Sequence, residues 1–330
     1  MIVGNTYVKF LKCMAKAGGD PLAAAEIHRK DYGDGPALGL IQKAIITTGN
    51  LGGDAAYQAA VNDFVLGVQT YDVMARINAL SPLHSIPVRT RVLVESEEPV
   101  AQWIGEGEIK VASGASFEEL TIQPEKAAGL IVVTKEVVQL ATDAAEKSLT
   151  RSLQRAVAKI TSAAAFASPS VAGAPASLLD GATEIAATGD VQADMSALVA
   201  AFAGDIERAV LVMSSNTAMT LALQVAMVGG AGTLGVRGGT FCGLPTVASA
   251  DVPDSIVALV DASGVTYGDD GVRLDTATQA TVTIDDVQHS LWQENLIGFL
   301  AERFVSWLPA PGAVAYLSGV SWTSGLGGTQ

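Results

Sequence analysis

Cysteine is almost missing from this chain of 330 residues: Cys13 and Cys242 are the only two, and they stand far apart. That count excludes a disulfide framework and a thiolate metal cluster, and it suits a reducing compartment. Positive charge is also scarce, with 20 Lys and Arg against 34 Asp and Glu, for a formal charge of −14. A dedicated nucleic-acid reader, basic over its whole surface, is therefore excluded, and any contact with a polyanion has to be local. His28, His84 and His289 have no second histidine at ligand spacing, and no H-E-x-x-H, C-x-x-C or calcium-loop pattern occurs, so neither a metal nor another cofactor is expected. No G-x-S-x-G elbow is present, and no catalytic residue stands out. Lys9, Lys12 and Lys16 interrupt every apolar run that could serve a signal peptide. One uncharged stretch is long enough for a bilayer, Ala209 to Val236. It is split by Ser214-Ser215-Asn216-Thr217 and ends among glycines, which argues against a membrane partner.

What is present is apolar mass: 49% of residues are hydrophobic and 16% charged, enough for a large core in one big domain or two. Residues 1–160 hold sixteen basic and eighteen acidic side chains, while residues 161–330 hold four and sixteen. The near-neutral front can meet polyanions or acidic partners, and the acidic back reads as a solvated, self-repelling face. Ordinary solubility is the plainer account of the same asymmetry.

Thr6 to Ala17 sets Val8, Leu11 and Ala15 apart from Lys9, Lys12 and Lys16, the pattern of a short amphipathic helix that Gly18-Gly19-Asp20-Pro21 stops. A second helix is predicted from Leu22 to Lys30, with Pro21 at or near its first position. Asp54 to Arg76 reads as helix with a break, after which Pro82 and Pro87 force extended chain. Strands are predicted at Val88 to Val94 and, returning, at Glu118 to Pro124. Between them a polar, glycine-marked segment carries Trp103, Ile104, Ile109, Val111 and Phe117, a two-stranded excursion whose apolar residues need cover from a neighbour.

The longest periodic signal follows Thr134 and reaches about Phe166, with Val138, Ala141, Ala145, Leu149, Leu153, Val157, Ile160 and Ala164 forming one buried stripe. Lys147, Arg151, Arg155 and Lys159 recur at spacings of four along the same helix, one slowly drifting cationic ridge. Such a ridge is usually a solvated face. Thr142 can cap a restart, with a kink near Ala141. The acidic half reads as α+β: a helix at Met195 to Phe202, a buried strand at Ala209 to Met213, a helix capped by Ser215-Asn216-Thr217 and running through Met227, and strands at Phe241 to Val247, Ser255 to Val260 and Ala280 to Ile284. Trp292, Trp307 and Trp322 all lie beyond residue 290.

Gly230-Ala231-Gly232-Thr233-Leu234-Gly235 matches G-x-G-x-x-G, but the fingerprint needs a strand before it and a helix N-terminus after it, and here the predicted helix comes before. Asp269-Asp270 and Asp285-Asp286 are carboxylate pairs whose neighbours point apart on a strand, and they read as turn or surface residues.

From Pro99 to Phe166 the series Trp103-x-x-Glu106-Gly107, Ser116-Phe117, Leu120-Thr121-Ile122, Lys126, Leu130 and Thr134-Lys135-Glu136, followed by a long helix, resembles the tailed-phage major capsid proteins of the HK97-fold family. So does the later series of Ala209 to Ala218, Gly238 to Pro245, Asp251-Val252-Pro253 and Val260-Asp261. The resemblance covers nearly the whole chain. It implies an α+β, HK97-like capsid fold: an N-terminal arm at 1–50, a peripheral-domain segment at 51–87, an extended E-loop hairpin at 88–128, the spine helix and peripheral domain at 129–180, an axial domain at 181–286, and the C-terminal part of the peripheral domain with the tail at 287–330. It implies a non-enzymatic subunit that assembles with itself through pentamers and hexamers into an icosahedral shell around double-stranded DNA, held without sequence specificity. The virion capsid is the implied location, with the host cytoplasm during assembly, and a separate scaffold protein and a portal protein are the implied partners. Trp103, Glu106, Lys110 and Phe117 would belong to the E-loop that lies across a neighbouring subunit. Lys147, Arg151, Arg155 and Lys159 would face the packaged DNA or a neighbour's acids. Some relatives join an E-loop lysine covalently to a neighbour's asparagine; Lys110 and Asn295 are available here, with no spacing that establishes the bond. An encapsulin-like protein compartment of the same fold is the alternative, and a nucleotide-binding enzyme using Gly230 to Gly235 is the alternative of a different class.

Overall fold

The computed structural model describes residues 9, 12–13, 16–17, 21–34, 37–38, 55–87, 91–97, 116–121, 123–140, 143–227, 233–284 and 286–322. The chain divides into two units, one of Met1–Arg76, Lys126–Ser162 and Gly271–Phe304, the other of Ile77–Glu125, Ala163–Asp270 and Val305–Gln330.

The first unit opens with a helical pair. Lys9, Lys12, Cys13 and Lys16 are helical, and α1 spans Pro21–Tyr32, with proline where a helix has no use for its missing N–H. Cys13, Ala24, Ala25 and Leu38 form a small core of their own, and Lys16 Nζ lies 2.7 Å from Asp31. Helix α2 (Ala55–Tyr71) follows, and α3 (Val73–Leu80) begins immediately after Asp72. Strand β4 (Glu125–Thr134) leads through α4 (Lys135–Leu140) to the 23-residue α5 (Asp143–Ala165). Leu153, Val157 and Ala158 recur at helical spacing and pack with Phe64 and Val68 of α2 and with Val272, Leu274, Ile297, Phe299 and Ala301 of two long strands. Gly67 lets α2 approach α5, because a Cβ there would overlap the terminal amide of Gln154, which donates to the Phe64 carbonyl at 3.3 Å.

The two-residue strand β1 (His84–Ser85), in the second unit, pairs in parallel with Thr266 and Tyr267 of β10 (Val265–Ala277). In the first unit β10 is followed in the sheet by β13 (Leu296–Pro309) and then β4. A separate hairpin joins β11 (Thr281–Ile284) to β12 (Val287–Ser290), with Asp286 at φ 64° in the turn.

In the second unit, β2 (Arg91–Glu97) and β3 (Ser116–Thr121) form an antiparallel ribbon with a bulge between Glu95 and Glu97. A six-stranded mixed sheet has the order β5 (Thr183–Ala186), β14 (Val314–Ser318), β9 (Val257–Asp261), β6 (Ala209–Met213), β8 (Leu244–Ala248) and β7 (Gly239–Phe241). Every residue of β6 and β9 is buried, as their unbroken apolar runs demand. Helices α6 (Val191–Ala201) and α7 (Ser215–Met227) supply Met195, Leu198, Ala218 and Leu221 to the same core.

Several expectations shift. The outgoing ribbon strand runs over 91–97 rather than 88–94, and the return over 116–121 rather than 118–124, because cross-strand register sets a strand's span once pairing exists. Helix α7 is capped by Ser214, whose Oγ accepts from the Thr217 N–H at 3.0 Å, so Ser215, Asn216 and Thr217 lie inside the helix. The segment Phe241 to Val247 is a hairpin, not one strand: Cys242 and Gly243, at φ 50° and 88°, make its two-residue turn. Residues 305–322 do not stay with 287–304, since buried β14 hydrogen-bonds to β5 on one side and β9 on the other.

Candidate functional site

In the first unit, α5 turns Thr150, Leu153, Gln154, Val157, Ala158 and Thr161 inward, which leaves Arg151, Arg155 and Lys159 exposed and Lys147 half-buried. The four span thirteen residues, roughly 18 Å of helix. The Arg155 guanidinium stands 5.1 Å from the Tyr71 ring centroid, a cation–π contact that fixes one rung of the ridge. Among the described residues none of the four is ion-paired.

Behind it lies a buried polar cluster that the sequence reading missed. Arg303 and Asp72, each 1% exposed, make an ion pair of 2.7 Å. Asp72 Oδ1 also accepts from the Ser162 hydroxyl at 3.2 Å and from the Met74 N–H at 3.2 Å, while Ser162 accepts the Val73 N–H at 3.0 Å. Arg303 donates to Thr161 at 3.4 Å. One carboxylate thus caps α3, ends the α2 run and ties both to α5 and β13. A signal existed: Asp72 is where the helical pattern breaks, and Arg303 falls on the inward register of β13 with Ile297, Phe299, Ala301, Val305 and Trp307. A charge among inward-facing strand positions needs a buried partner.

The loop between β12 and β13 is held at both ends. Lys135 N–H donates to the Asn295 carbonyl at 2.9 Å, the Asn295 amide donates to Glu136, and Glu294 accepts from Ser290 N–H and lies 2.7 Å from His289 Nδ1. Glu136 is held below the usual carboxylate range by its own backbone N–H at the helix start, helped by Asn295 and Thr134; Glu294 is lowered chiefly by His289. Asn295, the asparagine available for a covalent join, therefore has its amide engaged with Glu136 at φ 56°. Trp292, on this loop, is 67% exposed, whereas Trp307 and Trp322 are buried.

In the second unit the ribbon sets Arg91 opposite Thr121, Leu93 opposite Glu119 and Glu95 opposite Phe117. Among the described residues its strands pair only with each other. Of the E-loop residues singled out, Phe117 lies on β3; Trp103, Glu106 and Lys110 lie outside the described residues. The ridge lies in the first unit and the ribbon strands in the second. Buried Asp194 would be raised by desolvation, but hydrogen bonds from the Thr188 hydroxyl and N–H, the Trp322 indole and the Gly189 N–H outweigh that and hold it below the usual range. Trp307 donates its indole N–H to the Ala176 carbonyl at 2.7 Å, so both buried C-terminal tryptophans have their polar atom satisfied.

The glycine fingerprint sits after α7 rather than before a helix: Gly230, Ala231 and Gly232 lie outside the described residues, and Gly235 bridges to Gly238. Among the described residues no helix follows it to receive a phosphate. Among the described residues no group of His, Cys, Asp and Glu could hold a metal ion, and no helix is long and apolar enough to cross a membrane.

Residues 52–309 match the model of the Phage capsid family. The chain is 34% identical over 290 residues to the "Capsid polyprotein" of Pseudomonas phage PAJU2, an alignment covering 79% of this chain and 44% of that one. It thus spans less than half the length of that relative. Its fold is similar to a solved structure from Mycobacterium phage Cain, with TM-score 0.52, 20% identity, and 75% and 90% of the two chains covered. The "Capsid of native GTA particle computed with C5 symmetry" gives TM-score 0.54 and 16% identity over 75% of this chain and 91% of that one. The architecture is the α+β, HK97-like capsid fold. With more than three quarters of its length inside the family model, this chain belongs to the phage capsid family.

Proposed function

We propose that the chain is the structural subunit of a phage shell, assembling with copies of itself through pentamers and hexamers into an icosahedral container for double-stranded DNA, and that it catalyses no reaction. The observation that carries this reading is the ribbon. Two strands that, among the described residues, hydrogen-bond only to each other are marginal in water, and the sequence of β2 and β3 includes Val92, Leu93, Val94, Phe117 and Leu120. A neighbouring copy would supply cover for such a ribbon, and a symmetric shell offers that neighbour to every subunit. The PAJU2 relative, named a capsid polyprotein, supports the same reading.

On this reading residues 1–50 are the arm, 51–87 and 129–180 build the peripheral domain with α5 as its spine, 88–128 are the E-loop with Trp103, Glu106, Lys110 and Phe117 on the neighbour, and 181–286 surround the symmetry axes. The segment 287–304 returns to the peripheral domain, and 305–322 complete the axial sheet. A separate scaffold protein and a portal protein are its partners. It resides in the virion capsid, and in the host cytoplasm while the shell forms. The ridge of Lys147, Arg151, Arg155 and Lys159 meets phosphates without reading sequence, an interaction that weakens with salt. Neither the compartment shell nor the nucleotide-binding enzyme is favoured by these observations.

Negative-stain microscopy of the overexpressed chain, alone and with its scaffold, tests the reading. Shells, tubes or capsomer rings are expected. A dispersed monomer under both conditions, at concentrations where capsid proteins assemble, would overturn it.

A further inference from the structure

We propose that His28 makes the N-terminal helical pair an acid-sensitive latch, closed when the imidazole is neutral and opened when it takes a proton. This goes beyond the shell reading and does not rest on it. His28 lies in α1 at 1% exposure, and its Nδ1 is the one buried side-chain polar atom among the described residues that has no hydrogen-bond partner. A closed core therefore contains a basic nitrogen with no hydrogen-bond partner among the described residues.

The surroundings oppose a second charge on that ring. His28 stands 5.4 Å from the Tyr32 ring, and the same tyrosine has Lys9 Nζ at 4.7 Å and Lys12 Nζ at 6.0 Å from its centroid. An imidazolium would become a third cation around one aromatic ring. Lys12, 7% exposed, and the buried Cys13 come from the first helix of the pair. On the acidic side stand Asp31, bonded to Lys16, and Asp34, 4.0 Å from Arg29 Nε. Their attraction and a hydrogen bond to the Gly33 backbone favour the charged ring, yet burial, reinforced by Lys9, outweighs them and leaves the affinity for a proton below that of a free histidine.

The direction follows from linkage. A base whose folded pKa lies below its ordinary 6.5 binds fewer protons folded than open, so closure is fully stable above that value and weakens as pH falls from it toward the lower folded value. Over that window the opening equilibrium rises by up to about tenfold per pH unit. Opening releases a segment that carries Lys9, Lys12 and Lys16.

Hydrogen exchange on the full chain, corrected for the intrinsic pH dependence of amide exchange, reads α1 opening between pH 7.5 and 5. The expected result is progressive loss of protection below about pH 6.5, abolished in His28→Phe. Asp31 is held below the ordinary carboxylate range by its hydrogen bond to Lys16, so its protonation falls outside this window. Protection that does not change over the window, or a His28→Phe chain with the same acid sensitivity, would overturn the proposal. An NMR titration of the wild-type imidazole keeps the test independent of that variant's folding: a His28 that titrates at or above 6.5 also overturns it.

Discussion

Arg303 and Asp72 are the pair whose separation has the largest expected consequence, because each is 1% exposed and each leaves the other's charge buried. Arg303→Met strands the carboxylate and should cost about 3–5 kcal/mol, read by urea unfolding. The double change Arg303→Met with Asp72→Asn should recover part of that, since no uncompensated charge remains. Additive losses would show that the ion pair is not what holds α3 and β13 to α5. Asp194 gives a pH signature instead. Its folded pKa lies below the ordinary value, so its stabilisation is present above about pH 4 and is lost as pH falls through the lowered folded value. Asp194→Ala, which strands the Trp322 indole, should cost about 2–3 kcal/mol at pH 7 and flatten the acid limb of the stability profile. An unchanged acid limb would remove Asp194 from that role.

At the scale of elements, α5 is where sequence and structure agree most closely, because 3.6-residue periodicity is a local property of the chain. Leu153, Val157 and Ala164 are buried as the spacing predicts, whereas Ala145 and Ile160, placed on the same stripe, are exposed, and Arg151, Arg155 and Lys159 face outward. Gly67 adds a test of the packing behind it: Gly67→Ala must displace the Gln154 amide from the Phe64 carbonyl, and thermal unfolding should record a loss of about 1–3 kcal/mol. Reversing the ridge with Arg151→Glu and Arg155→Glu separates its two uses. Intact but empty shells would indicate contact with DNA, and failure to assemble would indicate pairing with a neighbour's acids. Shells filled as in the wild type would exclude both. The long strands were less legible. Asp269-Asp270-Gly271 reads as a turn, yet it lies within β10, where Gly271 takes φ 82° and the strand continues to Ala277. Strand β14 was missed for another reason: its five residues become a strand only through partners at 183–186 and 257–260, which no local window contains. The Asp72–Arg303 contact, 231 positions apart, is of the same kind.

For the whole molecule, the apolar cores hold what the described residues bury by themselves, Trp292 and most of the ridge stand exposed, and among the described residues the ribbon strands hydrogen-bond only to each other. Proteins that work as monomers rarely leave such features uncovered together, whereas a subunit of a closed assembly covers them with identical surfaces. The most direct measurement is a cryo-electron microscopy map of the assembled chain, traced through residues 91–121. The expected result is a ribbon that crosses onto an adjoining copy and buries its apolar residues there. A map, or a solution structure of the lone chain, in which the ribbon folds back onto its own body and leaves nothing for a neighbour to cover would contradict the account.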